Sequence, residues 1–511
     1  MSVIARLDPS GAALTIPNSA GEPLTPSVIY LDGLTALVGK TAREAASLDS
    51  RHAAAFVKRE MGGSVYSRLV DGHQLRPETL SAIILRKLKL DAERRIGPIS
   101  KAVITVPAFF DDTRRKATED AGRIAGLEVL DILNEPTAAA LSYAMLAERK
   151  RDPGSQRLDI PGGQMTAVVY DLGGGTFDVT VVRLQSRRFE TLATDGEVQL
   201  GGKDWDDRIV EYVGRKFRDE CGVDPTADPA RRDALSNLAE RTKILLSTLP
   251  QVPIEYSHEG HTLRTSLSRA ELDQMTADLL MRTRVVTDLV VRKQAGLRWE
   301  QIDSLLLVGG STRMPMVKRM LHELIGRPPS DVLDADQVVA QGAAIHSGIL
   351  MAKSGEGLLE IDEGLRRELA GVTELNVNAH SLGVEAMRDD EAINSVLVPK
   401  NTQLPYAASR VFRLRTPGAN TICVTVLEGE AAESANNIRV GECRITDLPP
   451  DLPRGAPIQV RLAYGANGRI GVMALDMTHG RFAQSTIQRT NRLTNDDIRR
   501  EAEFVATLSL Q

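Results

Sequence analysis

A chain of 511 residues, 42% hydrophobic and 26% charged, can bury several cores of ordinary size, which excludes an intrinsically disordered role. Its formal net charge of −5 provides no broad basic face for gripping a phosphate backbone, so nucleic acid is excluded as the default partner. Cys221, Cys423 and Cys443 match neither a disulfide framework nor a zinc site, and neither a leader-like start nor a membrane-length apolar run is present, so the expectation is a cytoplasmic protein with reduced thiols and no membrane partner.

Residues 1–352 alternate β-branched strands with helical stretches, the pattern of an α/β domain. Early in this region Lys58, in FVKREMGG, reads as one basic residue on a polar segment. Residues 104–144 read as a strand followed by two helices. Asp111 or Asp112 caps the first helix, Gly126 ends it, and Pro136 suits the first turn of the next. That places Glu135 at a helix start, where the dipole favours an acid and where capping alone would also explain it.

The stretch VVYDLGGGTFDVTVV, residues 168–182, sets three glycines between two β-branched runs and brackets them with Asp171 and Asp178. A Walker loop needs Lys-Ser/Thr after its last glycine and a dinucleotide fingerprint needs a helix; TFDVTVV alternates instead, so the glycines predict a hairpin. Glycine lets backbone N–H groups approach phosphate oxygens unobstructed, and one or two carboxylates suit a hard divalent ion that keeps its waters. An ordinary tight hairpin with surface acids is the competing interpretation.

Further along, SNLAERTKILLSTL places Glu240, Lys243 and Ser247 on one helical face, a stripe suited to a ribose or adenine edge and equally to plain solvation. A second strand-then-glycine unit, LLLVGGSTRMP at 305–315, delivers Gly309, Gly310, Ser311 and Thr312. Two such units in one chain imply duplicated halves facing a nucleotide. Residues 353–379 read as a polar connector with a short helix inside LLEIDEGLRREL, and 380–490 as a compact antiparallel β-sandwich with turns at TPGAN and GANGR. Cys423 fits a packed strand there. A final helix occupies 491–511, with Thr494 as N-cap and Asp497 completing a capping box.

Taken in order, VYDLGGGTFDVTVV, VPAFFDDTRRKATEDAGRIAGLEVLDILNEPTAAALSYA and LLVGGSTRMPMV closely resemble the seventy-kilodalton heat-shock chaperone family, and HSLGVEA, VPKNTQLP, VFRLRT and VLEGE resemble its peptide-binding β-domain. The resemblance implies an α/β actin-like ATPase domain of two lobes, a duplicated ribonuclease-H-like fold, then the β-sandwich and one C-terminal helix, with 491–511 as the start of a truncated helical lid. The implied cofactors are ATP and Mg2+. Lys58, Glu135, Asp171, Thr176 and Asp178 resemble the family's catalytic set, with Asp171 and Asp178 holding the metal through water. Gly173, Gly174, Gly175, Gly201, Gly202, Glu240, Lys243, Ser247, Gly309, Gly310, Ser311, Arg313 and Asp336 resemble its nucleotide pocket. Pro107 and Arg115 resemble its interdomain relay, and Val384, Met387, Phe412, Ile422 and Val424 its peptide groove, although a plain sandwich core would read the same way. The implied partners are unfolded or extended apolar polypeptides, together with J-domain and nucleotide-exchange co-chaperones.

Several departures shape the expectation. Met1 falls just after the position of the family's first phosphate loop, the linker stretch Val372–Thr373–Glu374–Leu375–Asn376 is less apolar than usual, and Arg415 stands where a small residue arches over bound peptide, favouring acidic peptide flanks. For the chain as written, feeble hydrolysis, weak linker docking and transient, nearly lidless peptide binding are expected; the missing loop reads as a start assigned too far downstream or, as the alternative, as a degenerate ATPase. Two functions stay open: an ATP-dependent chaperone with ATP hydrolase activity, or a degenerate, non-hydrolysing nucleotide- and peptide-binding scaffold. A small-molecule kinase on the same fold is a distant third.

Overall fold

The computed structural model describes residues 1–149, 163–185, 187–227, 229–330, 332–355, 361–446, 448, 452–465, 468–486 and 493–511. Parts of the expected connector (356–360) and of the GANGR turn (466–467) lie outside the described residues.

The glycine hairpin belongs to a five-stranded sheet in the order Ser304–Val308, Gln164–Leu172, Phe177–Gln185, Arg188–Glu197, Thr373–Leu375. Its two outer pairings are parallel and its two inner ones antiparallel. Side chains alternate across the sheet as a pleated strand requires. Val168, Tyr170 and Leu172 enter a core with Trp205 and Phe217 of the helix Gly202–Cys221. Ala167 and Val169 enter another, with the helices Glu135–Arg149 and Val338–Ser354. A strand buried on both faces reads as a continuous apolar run, and for that reason AVVYDL carries no polar residue until the aspartate.

The strands of the first lobe lie in separate groups. They are a hairpin (Ala5–Leu7 and Ala13–Thr15), a parallel pair (Lys101–Val106 and Glu128–Asn134) and a sheet built on Val28–Asp32, Thr35–Val38 and Ala53–Ala55. The helix Asp112–Ile124 crosses between the parallel strands and is capped by Asp111, whose carboxylate accepts from Arg114 N–H at 2.8 Å. Gly126, at φ 77°, turns the chain out of it.

The C-terminal helix Asn495–Thr507 starts at the Thr494–Asp497 capping box and packs on this lobe. Ile498, Val505 and Leu508 join Leu80, Ile83 and Ala121 in one core, and Ser509–Leu510 then pairs in parallel with Thr35–Val38.

Residues 382–486 form the sandwich of two four-stranded sheets, one antiparallel set containing Leu382–Arg388 and Ile422–Glu428, the other Tyr406–Arg413 and Pro457–Tyr464. It sits against the α/β lobes through polar contacts. His380 Nε2 lies 3.1 Å from the Phe109 carbonyl with the ring centroids 4.4 Å apart, Lys400 pairs with Asp195 at 2.7 Å, and Asn401 accepts from Thr194 N–H at 2.9 Å.

The linker stretch is folded onto the sheet. A helix forms at Glu363–Ala370, and Leu369 and Val372 are buried in the core beneath it. Thr373–Leu375 then adds as a parallel edge strand. Its position Glu374, where apolarity was expected, is held by His346 at 2.8 Å, so an ionic contact does part of what apolar burial would do. No helix among the described residues is long and apolar enough to cross a membrane.

Candidate nucleotide site

Strand pairing places Asp171 opposite Asp178 and Leu172 opposite Phe177, leaving 173–176 as the turn. The hairpin closes on itself through Gly173 N–H to the Thr176 carbonyl at 3.0 Å. It is nested against the start of the helix Gly202–Cys221: Gly202 N–H donates to the Gly173 carbonyl and Lys203 N–H to that of Gly174, each at 2.9 Å. Side chains are excluded there. A Cβ on Gly201 would fall 2.6 Å from Gly175 N, and one on Gly202 2.4 Å from Ser311 Oγ. Gly309, at φ 82°, brings the second glycine unit so close that a Cβ there would fall 2.5 Å from the Leu172 carbonyl oxygen. Ser311 Oγ donates to the Gly173 carbonyl at 2.9 Å, joining the two units.

Around this cradle lie Lys58, Glu135, Asp171, Gly173, Gly174, Gly175, Thr176, Gly202, Glu240, Lys243, Ser247, Gly309, Gly310, Ser311, Arg313 and Asp336, all on the wall of one cavity of about 1310 Å³. Lys58 Nζ donates to Glu135 Oε1 at 2.7 Å. Lys243 bridges Asp206 at 2.8 Å and the Gly202 carbonyl at 2.7 Å, and Arg313 pairs with Asp336 at 2.7 Å. Asp178 and Gly201 stand behind the wall. Pro107 and Arg115 are elsewhere; Arg115 lines a separate cavity of about 170 Å³ near the sandwich, with Glu428 and Tyr464.

The acids carry the electrostatic signature of the site. Burial, reinforced by Glu135, pushes the Asp178 carboxyl up to about 7 and holds Asp171 well above its ordinary range. Asp178 Oδ1 accepts from Phe109 N–H at 3.0 Å, while Oδ2 is buried with no hydrogen-bond partner. Burial likewise raises Asp206 to about 6 against the pull of Lys243. Facing buried carboxylates beside a glycine cradle fit a hydrated divalent cation carrying phosphates, since such ions take one or two carboxylates and keep their water. Among the described residues no cluster of three or more acids, histidines or cysteines is arranged to hold an ion unaided.

Sequence reasoning missed the residues that tie the halves together. Arg59 Nε donates to the Gly175 carbonyl at 2.8 Å, and its guanidinium pairs with Asp204 at 2.5 Å. Arg43 reaches Glu240 at 2.9 Å and Arg68 reaches Asp233 at 2.8 Å. Only the adjacency of Arg59 to Lys58 hinted at this.

Residues 1–507 match the profile of the family described as Hsp70 protein. The chain belongs to the Hsp70 family. Its fold is accordingly the two-lobed actin-like ATPase domain with a β-sandwich. A chaperone protein DnaK of Thermus thermophilus is 38% identical, with 98% of this chain and 81% of the relative covered. A chaperone protein DnaK of Thermotoga neapolitana is 35% identical with the same coverage. Of the residues likened to the Hsp70 peptide groove, Val384 and Val424 are buried in the sandwich core and Phe412 and Ile422 pack against it, whereas Met387 is 47% exposed. Arg415 is exposed and paired with Asp390 on the surface.

Proposed function

We propose that the chain is an ATP-dependent chaperone of the DnaK type, which binds exposed apolar segments of unfolded proteins under the control of nucleotide. The observation that carries this reading is the pair Asp171 and Asp178, buried across a glycine hairpin whose neighbours leave no room for a Cβ. The backbone amides of the hairpin turn take the phosphates, beside a helix start. A divalent ion, when bound, neutralises charge on those phosphates. The chain's own part is positioning: Glu135 holds the Lys58 ammonium, Lys243 holds the helix start at Gly202, Ser311 joins the two glycine units, and Glu240, Ser247 and Arg313 face the nucleoside. Phosphoryl transfer depends almost wholly on such positioning and charge.

In the sandwich, Phe412 and Ile422, packed on the core that buries Val384 and Val424, offer apolar contact, and strand edges supply pairing to an extended peptide. Arg115, whose guanidinium donates to the Ile132 carbonyl at 2.6 Å and faces Glu428 across the small cavity, is suited to carry the state of one unit to the other, with Pro107 just before it. J-domain and exchange co-chaperones are the partners this reading calls for.

The test is a melting curve with and without saturating Mg-ATP, followed by phosphate release. A rise in Tm is expected, and an unchanged curve rejects the reading. A rise without any phosphate release favours the non-hydrolysing scaffold.

A further inference from the structure

We propose that His346, Glu374 and Asp131 form a proton-dependent latch holding the linker strand against the sheet. This rests on the two-unit reading above only for what the latch serves. His346 Nδ1 is 2.8 Å from Glu374 Oε1, and Nε2 is 2.9 Å from Asp131 Oδ2. With both carboxyls ionised each only accepts, so both ring nitrogens donate and the ring is an imidazolium. It is 5% exposed.

The three residues come from different segments. His346 lies on the helix Val338–Ser354, Asp131 on the first-lobe strand Glu128–Asn134, and Glu374 on the linker strand Thr373–Leu375. That strand has three residues and pairs on one side with Arg188–Glu190. So short an edge strand gains little from pairing alone. The ionic contact is its tie to the helix.

Burial lowers the affinity of His346 for its proton, but the two carboxylates outweigh burial and lift the pKa to about 9. Once the strand leaves, Glu374 goes with it while Asp131 stays, so the pKa falls from about 9 only to the value that Asp131 still supports. The contribution of the docked strand is therefore fully present below that undocked pKa and is lost as pH rises through about 9. Docking of the linker therefore takes up a proton, and its equilibrium constant changes by up to about tenfold per pH unit across that window.

Other ionisable groups lie nearby. On the wall of the adjoining cavity are Arg115, Lys353, Glu428 and Tyr464. Arg115 is bound by Asn134 and the Ile132 carbonyl, and Glu428 accepts from Asp112 N–H at 3.3 Å. From the neighbouring elements, Glu190 faces Arg183 at 3.6 Å and Gln403 at 3.1 Å, Glu363 pairs with Arg367 at 3.4 Å, and Lys101 with Glu128 at 3.8 Å. Glu428, raised by burial to about 8, titrates in the same range and must be silenced in the test.

The experiment is hydrogen exchange of the segment 372–377 in the full chain carrying Glu428→Gln, without nucleotide or peptide, from pH 6.5 to 9 and corrected for intrinsic rates. Protection is expected to fall as pH rises, by up to about tenfold per unit. Adding His346→Gln should lower protection at pH 6.5 and flatten the slope. Glu374→Gln, on the strand itself, should do the same while leaving Tm at pH 6.5 nearly unchanged, and it decides alone if the histidine variant does not fold. A parent without a slope, or folded variants that keep the parent's slope, overturns the latch. Failure of the nucleotide reading would appear in the Mg-ATP melting curve and leave this slope untouched.

Discussion

Asp171 and Asp178 are Cα partners across the glycine hairpin, both buried, and one oxygen of Asp178 has no hydrogen-bond partner. Two carboxylates and Glu135 in so dry a place repel one another, and the folded protein holds the Asp178 proton to about pH 7. An acid whose folded pKa is raised destabilises as it ionises. Its cost is absent below about 3.8 and complete above about 7, and is on the order of 2–4 kcal/mol. Asp178→Asn keeps an acceptor for Phe109 N–H and removes the charge. In metal-free buffer at pH 7.5 it should raise Tm by several degrees and flatten the decline between pH 5 and 7.5. It should also weaken the gain from Mg-ATP. A variant less stable than the parent without metal, or one with the full Mg-ATP gain, contradicts this.

Gly201 has extended backbone angles that any residue adopts, so the case for glycine there is contact alone. A Cβ would meet Gly175 N at 2.6 Å and Gly175 C at 2.7 Å, and backbone cannot rotate away as a side chain can. Gly201→Ala should push the hairpin off the helix start, with a stability cost of about 1–3 kcal/mol and a larger loss in the Mg-ATP shift. Isothermal titration with Mg-ATP checks it; parental affinity would show that the hairpin can shift freely.

In the sandwich, Phe412 packs with Ile422 against the buried cluster that holds Val384 and Val424. Phe412→Ala should weaken binding of a fluorescent extended apolar peptide by roughly tenfold, about 1.4 kcal/mol, while the sandwich still melts cooperatively. Equal peptide affinity in both forms removes Phe412 from the groove.

Thr494 accepts from Asp497 N–H at 3.1 Å while the Asp497 carboxylate takes Thr494 N–H at 2.8 Å. Because Ile498 and Val505 bury this helix in the first-lobe core, loosening its cap should be felt by the lobe as well as by the tail. Thr494→Ala should cost about 1 kcal/mol, read as a lower urea midpoint for the whole transition. A midpoint unchanged, with only the last residues exchanging faster, would mean that the helix is an independent appendage.

What was legible in the sequence was local. The hairpin was legible because its two acids flank the glycines closely and the alternation on either side sets the pairing. The caps at Asp111 and Thr494 were legible because capping is decided within one turn of helix. The groove was less so: Val384 and Val424 alternate as strand residues, and apolarity suits a core and a peptide pocket equally. The linker misled for a different reason. Glu374 looked like a lost apolar contact, and nothing nearby announced that His346, 28 residues earlier, would hold it. Long-range ion pairs leave no period in the chain.

Arg59 is the clearest case of such a pair, since 116 residues separate it from the carbonyl of Gly175 that it binds. The same guanidinium pairs with Asp204, whose carboxylate also accepts from Gly201 N–H at 2.7 Å. One first-lobe side chain thus fixes both the hairpin turn and the helix start of the proposed phosphate site. A planar fork is needed to reach the carbonyl and the carboxylate at once, and an ammonium is a single point of charge. Arg59→Lys should therefore behave nearly as Arg59→Ala, with Mg-ATP affinity reduced about tenfold in each, or about 1.4 kcal/mol. Asp204→Asn, which keeps an acceptor for Gly201 but loses the ion pair, should fall between them and the parent. Titration of the three variants against the parent decides the matter, and a lysine variant with parental affinity would show that only the charge counts.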